Sequence, residues 1–203
     1  MKIYVACLAS YNNGVLHGRW IDAESDVDCM RDQVNAMLRE SKFPNVTVTC
    51  PECEGAGKPY GFGDGICEEC KGKGRVPSAE EFAIHDYDGL PSSFGEFTGL
   101  DTIAEYVELA EEFDHIRDVD MAAIVSDFGS VETTREQLND NFVSIYDSFR
   151  DYADESAEDM ISSHDIPDDH FLVRYFDYDA YAHDLQMDMH CIDAPSGVAV
   201  FHA

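Results

Sequence analysis

The chain opens with a stretch that decides how its first domain folds: residues 2–21 read KIYVACLASYNNGVLHGRWI. The runs 2–9 and 15–21 are rich in apolar, β-branched and aromatic side chains, which favour strands. Asn13-Gly14 lies between them, and this pair is a strong signal for a tight hairpin turn. The sequence therefore predicts two antiparallel strands joined by that turn.

The following segments complete a small sheet with one helix. Ser25 can cap a helix over about residues 26–40, in which the apolar side chains recur on one face. Phe82–Asp86 is typical of a further short strand, which we expect to return to the hairpin. Residues 91–99 form a loop and a boundary. We therefore expect an N-terminal sheet-and-helix domain at residues 1–98.

Residues 46–76 interrupt this domain with two copies of one cysteine pattern. The copies are Cys50-Pro-Glu-Cys53-Glu-Gly55-Ala-Gly57 and Cys67-Glu-Glu-Cys70-Lys-Gly72-Lys-Gly74, with thirteen residues between the pairs. Two tight turns of this kind present four thiolates to one tetrahedral Zn²⁺. The pattern predicts one structural zinc ion, and no metal catalysis because a closed Cys₄ site has no open position. The predicted ligands are Cys50, Cys53, Cys67 and Cys70.

The cysteine pattern also raises other interpretations. Two redox-active Cys-x-x-Cys units would need a strand-to-helix setting, which these Gly-rich segments lack. Both halves resemble the zinc modules of DnaJ-type chaperones, although this chain has two copies where that family usually carries four. A small basic patch accompanies the cysteines and consists of Lys58, Lys71, Lys73 and Arg75. A zinc-dependent protein-binding or chaperone-like module, with an acidic surface that only aids solvation, is therefore the alternative function.

The second half of the chain favours helices. Apolar residues follow helical spacing from Leu100 to about Asp118, and a second short helix is expected over residues 120–128. Thr133-Thr134-Arg135-Glu136 is a capping-box pattern, which marks the start of another helix. Helical spacing then continues from Phe142 to Met160, and Val198–Phe201 is typical of a closing strand. These elements predict an α+β fold.

Negative charge is concentrated in this same half. Residues 76–203 hold 31 Asp and Glu against four Arg, so 27 of the 29 excess negative charges of the chain lie there. Acids at helical spacing stand ~5–6 Å apart at Cβ, and a duplex presents one phosphate per ~3.4 Å on each strand. We therefore predict a surface that mimics DNA, formed by Asp101, Glu105, Glu108, Glu112, Asp147, Asp151, Asp154, Glu155, Glu158 and Asp159.

Several other uses of the charge compete with mimicry. Halophilic adaptation would spread acid over every surface, whereas residues 1–75 hold 9 basic and 11 acidic side chains. A calcium buffer would need a longer ligand loop than Asp177-Tyr-Asp179 offers. Direct DNA binding is disfavoured by the surrounding negative charge. Solvation of helix faces stays an open alternative.

Composition limits where the protein works. With 44 % apolar residues the chain is expected to fold. No segment approaches the ~20 apolar residues of a membrane span, and we expect no contact with a membrane. The start of the chain suits a strand better than a signal peptide. Seven cysteines, four of them in Cys-x-x-Cys pairs, fit a reducing cytoplasm. No nucleophile and base form a recognisable catalytic arrangement in the sequence, so we expect that the protein is not an enzyme.

Three separated segments resemble one family, the ArdA-type antirestriction proteins. They are residues 3–22 (IYVACLASYNNGVLHGRWID), 80–88 (EEFAIHDYD) and 176–185 (FDYDAYAHDL). Residues 141–153 are similar to the acidic helix that follows the middle domain of that family. The resemblance covers nearly the whole chain except the cysteine insert, which most compact members lack.

The resemblance implies a function and an assembly. Proteins of this kind belong to mobile genetic elements, mimic bent B-form DNA and occupy the DNA channel of type I restriction–modification enzymes. Cleavage is thereby blocked, and modification is a further candidate step. The resemblance also implies an elongated homodimer. Each chain would hold three small domains, with a helical middle domain at residues 99–139 and an acidic α+β C-terminal domain at residues 140–203.

Overall fold

Both halves of the chain contain helices and strands. The computed structural model describes residues 1–59, 65–167 and 169–203. Within these ranges helices and small antiparallel sheets are mixed, so the predicted α+β class is confirmed. None of the described helices is long and apolar enough to cross a membrane.

The chain divides into two compact units. Unit 1 consists of Met1–Leu90 and Phe94–Glu108, and unit 2 consists of Pro91–Ser93 and Leu109–Ala203. Each unit has its own three-stranded sheet. The division into three domains that the resemblance implies stays a prediction.

Unit 1 is built on strands β1 (Lys2–Cys7), β2 (Gly18–Asp22) and β5 (Phe82–Asp88). Both neighbours of β1 are antiparallel to it, and the order across the sheet is β2-β1-β5. The predicted pairing of the first two strands and the return of the third are therefore confirmed.

The connection between β1 and β2 differs from the predicted hairpin. Helix α1, Leu8–Asn12, follows β1 directly, so the strand is shorter than the apolar run. The thiol of Cys7 caps α1 by accepting the backbone N–H of Ser10 at 3.4 Å. Asn13 then ends this helix. Asn13 and Gly14 do form a turn, with Gly14 at φ +75°, but this turn ends α1. The prediction that it joins the two strands directly as a hairpin was therefore wrong.

Helix α2, Val27–Arg39, packs against β1 and β2. Asp26 caps it in place of the predicted Ser25, because its carboxylate accepts the backbone N–H groups of Asp28 and Cys29. The predicted helix is confirmed with slightly shorter bounds. Its buried side chains form the core of unit 1 with those of the sheet and are Met30, Val34, Met37 and Leu38.

The cysteine insert stands on a separate two-stranded ribbon. Strands β3 (Val46–Thr49) and β4 (Arg75–Ser78) pair in antiparallel register. The backbone N–H of Ala79 donates to the carbonyl of Leu38 at 3.1 Å, which ties the base of the ribbon to the end of α2. The two strands bring both cysteine pairs to the same end of the ribbon.

Both helices predicted in this region are present, but the first ends at Glu112 rather than near Asp118, and the second begins two residues earlier than predicted. Helix α3 covers Leu100–Glu112, and helix α4 covers Asp118–Phe128. The division between the two units falls within α3. Its apolar side is buried as the spacing predicts, at Ile103, Tyr106, Val107, Ala110 and also Leu109.

In the first part of the C-terminal region a strand separates two helices, whereas an unbroken helical pattern was predicted. Helix α5 (Val131–Asp140) is followed by strand β6 (Phe142–Tyr146) and then by helix α6 (Phe149–Ser163). The helix predicted through Phe142 was therefore wrong. Ser148 separates the two elements, because its hydroxyl accepts the Asp151 N–H and caps α6.

A second sheet closes unit 2. A 3₁₀ turn at Phe171–Tyr175 leads to helix α7 (Tyr178–Met187) and then to strands β7 (Met189–Ala194) and β8 (Gly197–His202). The sheet order is β6-β8-β7, and both pairings are antiparallel. The predicted closing strand is thus confirmed, and it lies in the centre of the sheet.

Candidate metal centre and acidic surfaces

The four predicted cysteines lie together at the end of the ribbon. Their sulfur atoms all lie within 4.8 Å of one another. The Sγ atoms of Cys50 and Cys67 are 3.8 Å apart, and those of Cys53 and Cys70 are 3.7 Å apart. A tetrahedral ion with metal–sulfur bonds of ~2.3 Å requires sulfur separations of ~3.8 Å. The spacing therefore fits a tetrahedral metal ion.

The two cysteine turns are related by approximate two-fold symmetry. The N–H of Gly57 donates to Cys53 Sγ at 3.3 Å, and the N–H of Gly74 donates to Cys70 Sγ at 3.2 Å. Each turn also holds the other, since Cys50 N donates to the Gly74 carbonyl and Cys67 N to the Gly57 carbonyl, both at 2.9 Å. Such donors stabilise thiolate ligands of a metal.

Burial affects how the thiols of this cluster ionise. All four cysteines are buried, and Val76 is the other member of the small core that they form. Burial is the main cause that raises the pKa of Cys50 to about 12. Burial also acts to raise the pKa of Cys70, but hydrogen bonds from the Gly74 N–H and from the thiols of Cys67 and Cys53 bring it to about 7. Four buried thiolates would repel one another, so a bound cation would stabilise a fully deprotonated cluster.

Helix α3 presents acids on one side. Asp101, Glu105, Glu108 and Glu112 are all exposed, while Ile103 and Val107 on the other side are buried. Spacings of three and four residues place these acids next to one another along the helix. The predicted row of exposed acids is therefore present on α3. One of the four acids is not free, however. Glu112 forms an ion pair with Arg135 of α5 at 3.0 Å.

A second set of acids lies on and before helix α6. Asp151, Glu155, Glu158 and Asp159 are exposed on the helix. Asp147 is also exposed, but it follows β6 and precedes the helix. Burial, followed by the charges of Glu155 and Asp159, raises the pKa of Tyr146. These acids therefore create a local negative field on this side of unit 2.

The chain matches one family over nearly its whole length. The model of the antirestriction protein (ArdA) family matches residues 3–200. The chain belongs to the ArdA family. No curated protein matches it in a sequence comparison. The ArdA match includes the cysteine insert, so the ribbon lies inside the family region rather than beside it.

The sequence analysis did not predict the ion pairs that the arginines of this ArdA family member form with the acids. Arg150 donates from Nε to Asp154 Oδ1 at 2.7 Å and from Nη1 to Asp179 of α7. Asp179, and after it Asp154, raises the pKa of Arg150. Asp154 is half-buried and already paired, so it differs from the free carboxylates around it. The i to i+4 spacing of Arg150 and Asp154 was the available signal.

Proposed function

We propose that this protein is a DNA mimic that occupies the DNA-binding channel of a type I restriction–modification enzyme and blocks cleavage. Membership of the ArdA family supports antirestriction activity. The observation that supports the mimicry is that α3 and α6 expose carboxylates at helical spacing, most of which form no ion pair with a described residue. A cationic channel that binds DNA gains affinity from released counterions, and it gains similarly from such a surface.

The acids of the proposed surface are not equivalent. Glu112 and Asp154 are neutralised by arginines, so they add little to the field that a partner meets. The remaining predicted acids form no ion pair with a described residue and would take the place of phosphates. They are Asp101, Glu105, Glu108, Asp147, Asp151, Glu155, Glu158 and Asp159.

The proposed metal is a single structural Zn²⁺ held by the four cysteines. A closed all-sulfur site suits Zn²⁺, and metal binding then becomes folding free energy for a ribbon with almost no core. Zinc supplies no chemistry here beyond cross-linking the two turns. We propose that the protein inhibits its partner without catalysing a reaction. We also propose that it works in the cytoplasm as a homodimer. The resemblance to antirestriction proteins of mobile genetic elements supports these last points.

Replacing Gly57 by alanine is expected to weaken zinc binding roughly tenfold or more. Gly57 has φ +71°, and a Cβ there would lie 2.5 Å from the carbonyl oxygen of Gly72. Competition with a chromophoric chelator measures the affinity. Gly65→Ala is the matched control within the insert, because its Cβ would meet no atom of the described residues closer than 3.6 Å. Equal affinities for the two variants would contradict the proposed site.

A zinc-dependent protein-binding module is the second candidate. It is favoured by Ile66, which is 67 % exposed beside Cys67, and by the exposed Lys71 and Lys73. Such a surface would bind a partner even if the acidic helices did not. Replacing Cys50 and Cys67 by serine separates the two functions, because it removes the zinc site and leaves the acidic helices in place.

A displacement assay tests the proposed function. A type I restriction–modification enzyme is loaded with a fluorescent duplex, and the protein is added in excess. We expect the duplex to be released in proportion to the loss of cleavage. Cleavage that stops while the duplex stays bound would show an inhibitor that works outside the DNA channel.

A further inference from the structure

Helix α7 is attached to unit 2 without a buried anchor. None of its residues is fully buried. The half-buried side chains of the helix lie on one side and are Tyr178, Tyr181, Ala182 and Leu185. Elements with few buried apolar contacts open most easily in a fold. Polar contacts must therefore contribute strongly to the position of α7.

Arg150 makes the charged contact between α6 and α7. Its Nη1 donates to Asp179 Oδ1 in the first turn of α7, while its Nε donates to Asp154 of α6. A planar guanidinium holds two carboxylates in a fixed geometry, which an ammonium cannot do. A second contact joins the same helices, because the hydroxyls of Ser156 and Tyr181 are 3.0 Å apart.

The two helices would otherwise repel each other. The exposed side of α6 carries Asp151, Glu155, Glu158 and Asp159, and α7 carries Asp179 and Asp184 after the capping Asp177. Like charges on neighbouring helices favour separation. Arg150 is one of only four basic side chains in residues 76–203. It lies where one cation neutralises a carboxylate from each helix.

We propose that Arg150 is a positioning residue that holds α7 against α6, and so fixes the spacing between two acidic helices that the restriction enzyme contacts together. The first part concerns the fold alone, and the second rests on the proposed function. Removing Arg150 makes the protein more negative. Charge alone therefore predicts tighter binding to a cationic channel, whereas positioning predicts weaker binding.

Arg174 provides a matched control. It lines the same open cavity of about 430 Å³ as Arg150. It is exposed and forms no ion pair with any residue that the structure describes. Arg174→Ala and Arg150→Ala each remove one positive charge. Arg174→Ala leaves the ion pair between α6 and α7 intact.

Hydrogen exchange of the α7 amides tests the first part directly. In Arg150→Ala we expect these amides to exchange about fivefold faster than in the parent, because an exposed ion pair contributes up to about that factor. Asp179→Asn should have the same effect, and adding it to Arg150→Ala should cause little further change. Unchanged exchange in Arg150→Ala, or equal acceleration in Arg174→Ala, would overturn the inference.

Inhibition of the restriction enzyme tests the second part. We expect Arg150→Ala to inhibit up to about fivefold more weakly than the parent, Arg174→Ala to inhibit at least as well as the parent, and Arg150→Lys to recover part of the loss. The salt dependence should stay as steep, because no acid is removed. Arg150→Ala that inhibits as well as Arg174→Ala would overturn this part. A parent without inhibition would contradict the proposed function, while the exchange data would still decide how Arg150 acts.

Discussion

A quadruple charge reversal is expected to weaken inhibition roughly a hundredfold or more, because about four interfacial ion pairs become repulsive contacts. All four acids are exposed, and none forms an ion pair with a described residue. Each single reversal should cost only a few-fold, since the charge is distributed over many sites. The variant replaces by lysine the residues Glu105, Glu108, Asp151 and Glu155.

The control for this variant reverses four other acids, so it has the same net charge, but the reversed charges lie on a different surface. Its four acids are also exposed and unpaired within the described chain. If the enzyme binds the exposed acids of α3 and α6, the control should lose much less inhibition than the quadruple variant. Circular dichroism checks that both variants are folded. Equal inhibition by the quadruple variant and the parent would show that charge mimicry is wrong. The control reverses Asp32, Glu80, Glu81 and Asp88.

Replacing Cys50 and Cys67 by serine is expected to abolish zinc binding and unfold the ribbon. Apparent binding free energies of structural Zn²⁺ are about 10–16 kcal/mol at neutral pH. The ribbon has little else to hold it, because its core consists of the four cysteines and Val76. Metal analysis should show about one zinc per chain in the parent and none in the variant. Hydrogen exchange should show loss of protection in β3 and β4.

Cys29→Ser is the control for this change. Cys29 is exposed on α2 and lies outside the cluster. It should keep both zinc and the ribbon. We expect the double variant to inhibit the restriction enzyme as the parent does, because the acids of α3 and α6 do not depend on the ribbon. Lost inhibition with unit 2 still folded would favour the zinc-dependent binding module. A ribbon that stays protected without metal would contradict the structural role of zinc.

The cysteine site was the most predictable part of the molecule. Its evidence lies in local spacing, since two Cys-x-x-Cys turns with glycines can converge on one ion wherever the ribbon stands. The sheet of unit 1 was predictable for a similar reason, because its strands are short β-rich runs bounded by turn residues. Its first connection was not, because the thiol of Cys7 starts a helix that the propensities do not indicate.

The C-terminal region shows where periodicity fails. Phe142, Ile145 and Phe149 follow helical spacing, yet Phe142 and Ile145 lie in β6 opposite Phe201 and Ala199 of β8. Both strands are apolar and β-branched or aromatic, so pairing between distant segments overrides the local pattern. The partner strand β8 lies some sixty residues further along the sequence, so the periodicity of a short segment around β6 contains no information about it.

The acidic surface could be predicted in composition but not in detail. Helical spacing correctly placed the exposed acids of α3, because Ile103 and Val107 fix its buried side. Neutralisation of Glu112 by Arg135 depends on how α3 and α5 pack, which no local pattern contains. The contact from Arg150 to Asp179 likewise joins residues on different helices.

The most direct test of the central claim is a salt series of the competition between this protein and a duplex for a type I restriction–modification enzyme. The inhibition should be competitive with DNA. The logarithm of its affinity should fall linearly with the logarithm of salt concentration, as it does for the duplex itself. Inhibition that is independent of salt, or that excess duplex cannot reverse, would contradict a carboxylate surface standing in for phosphates.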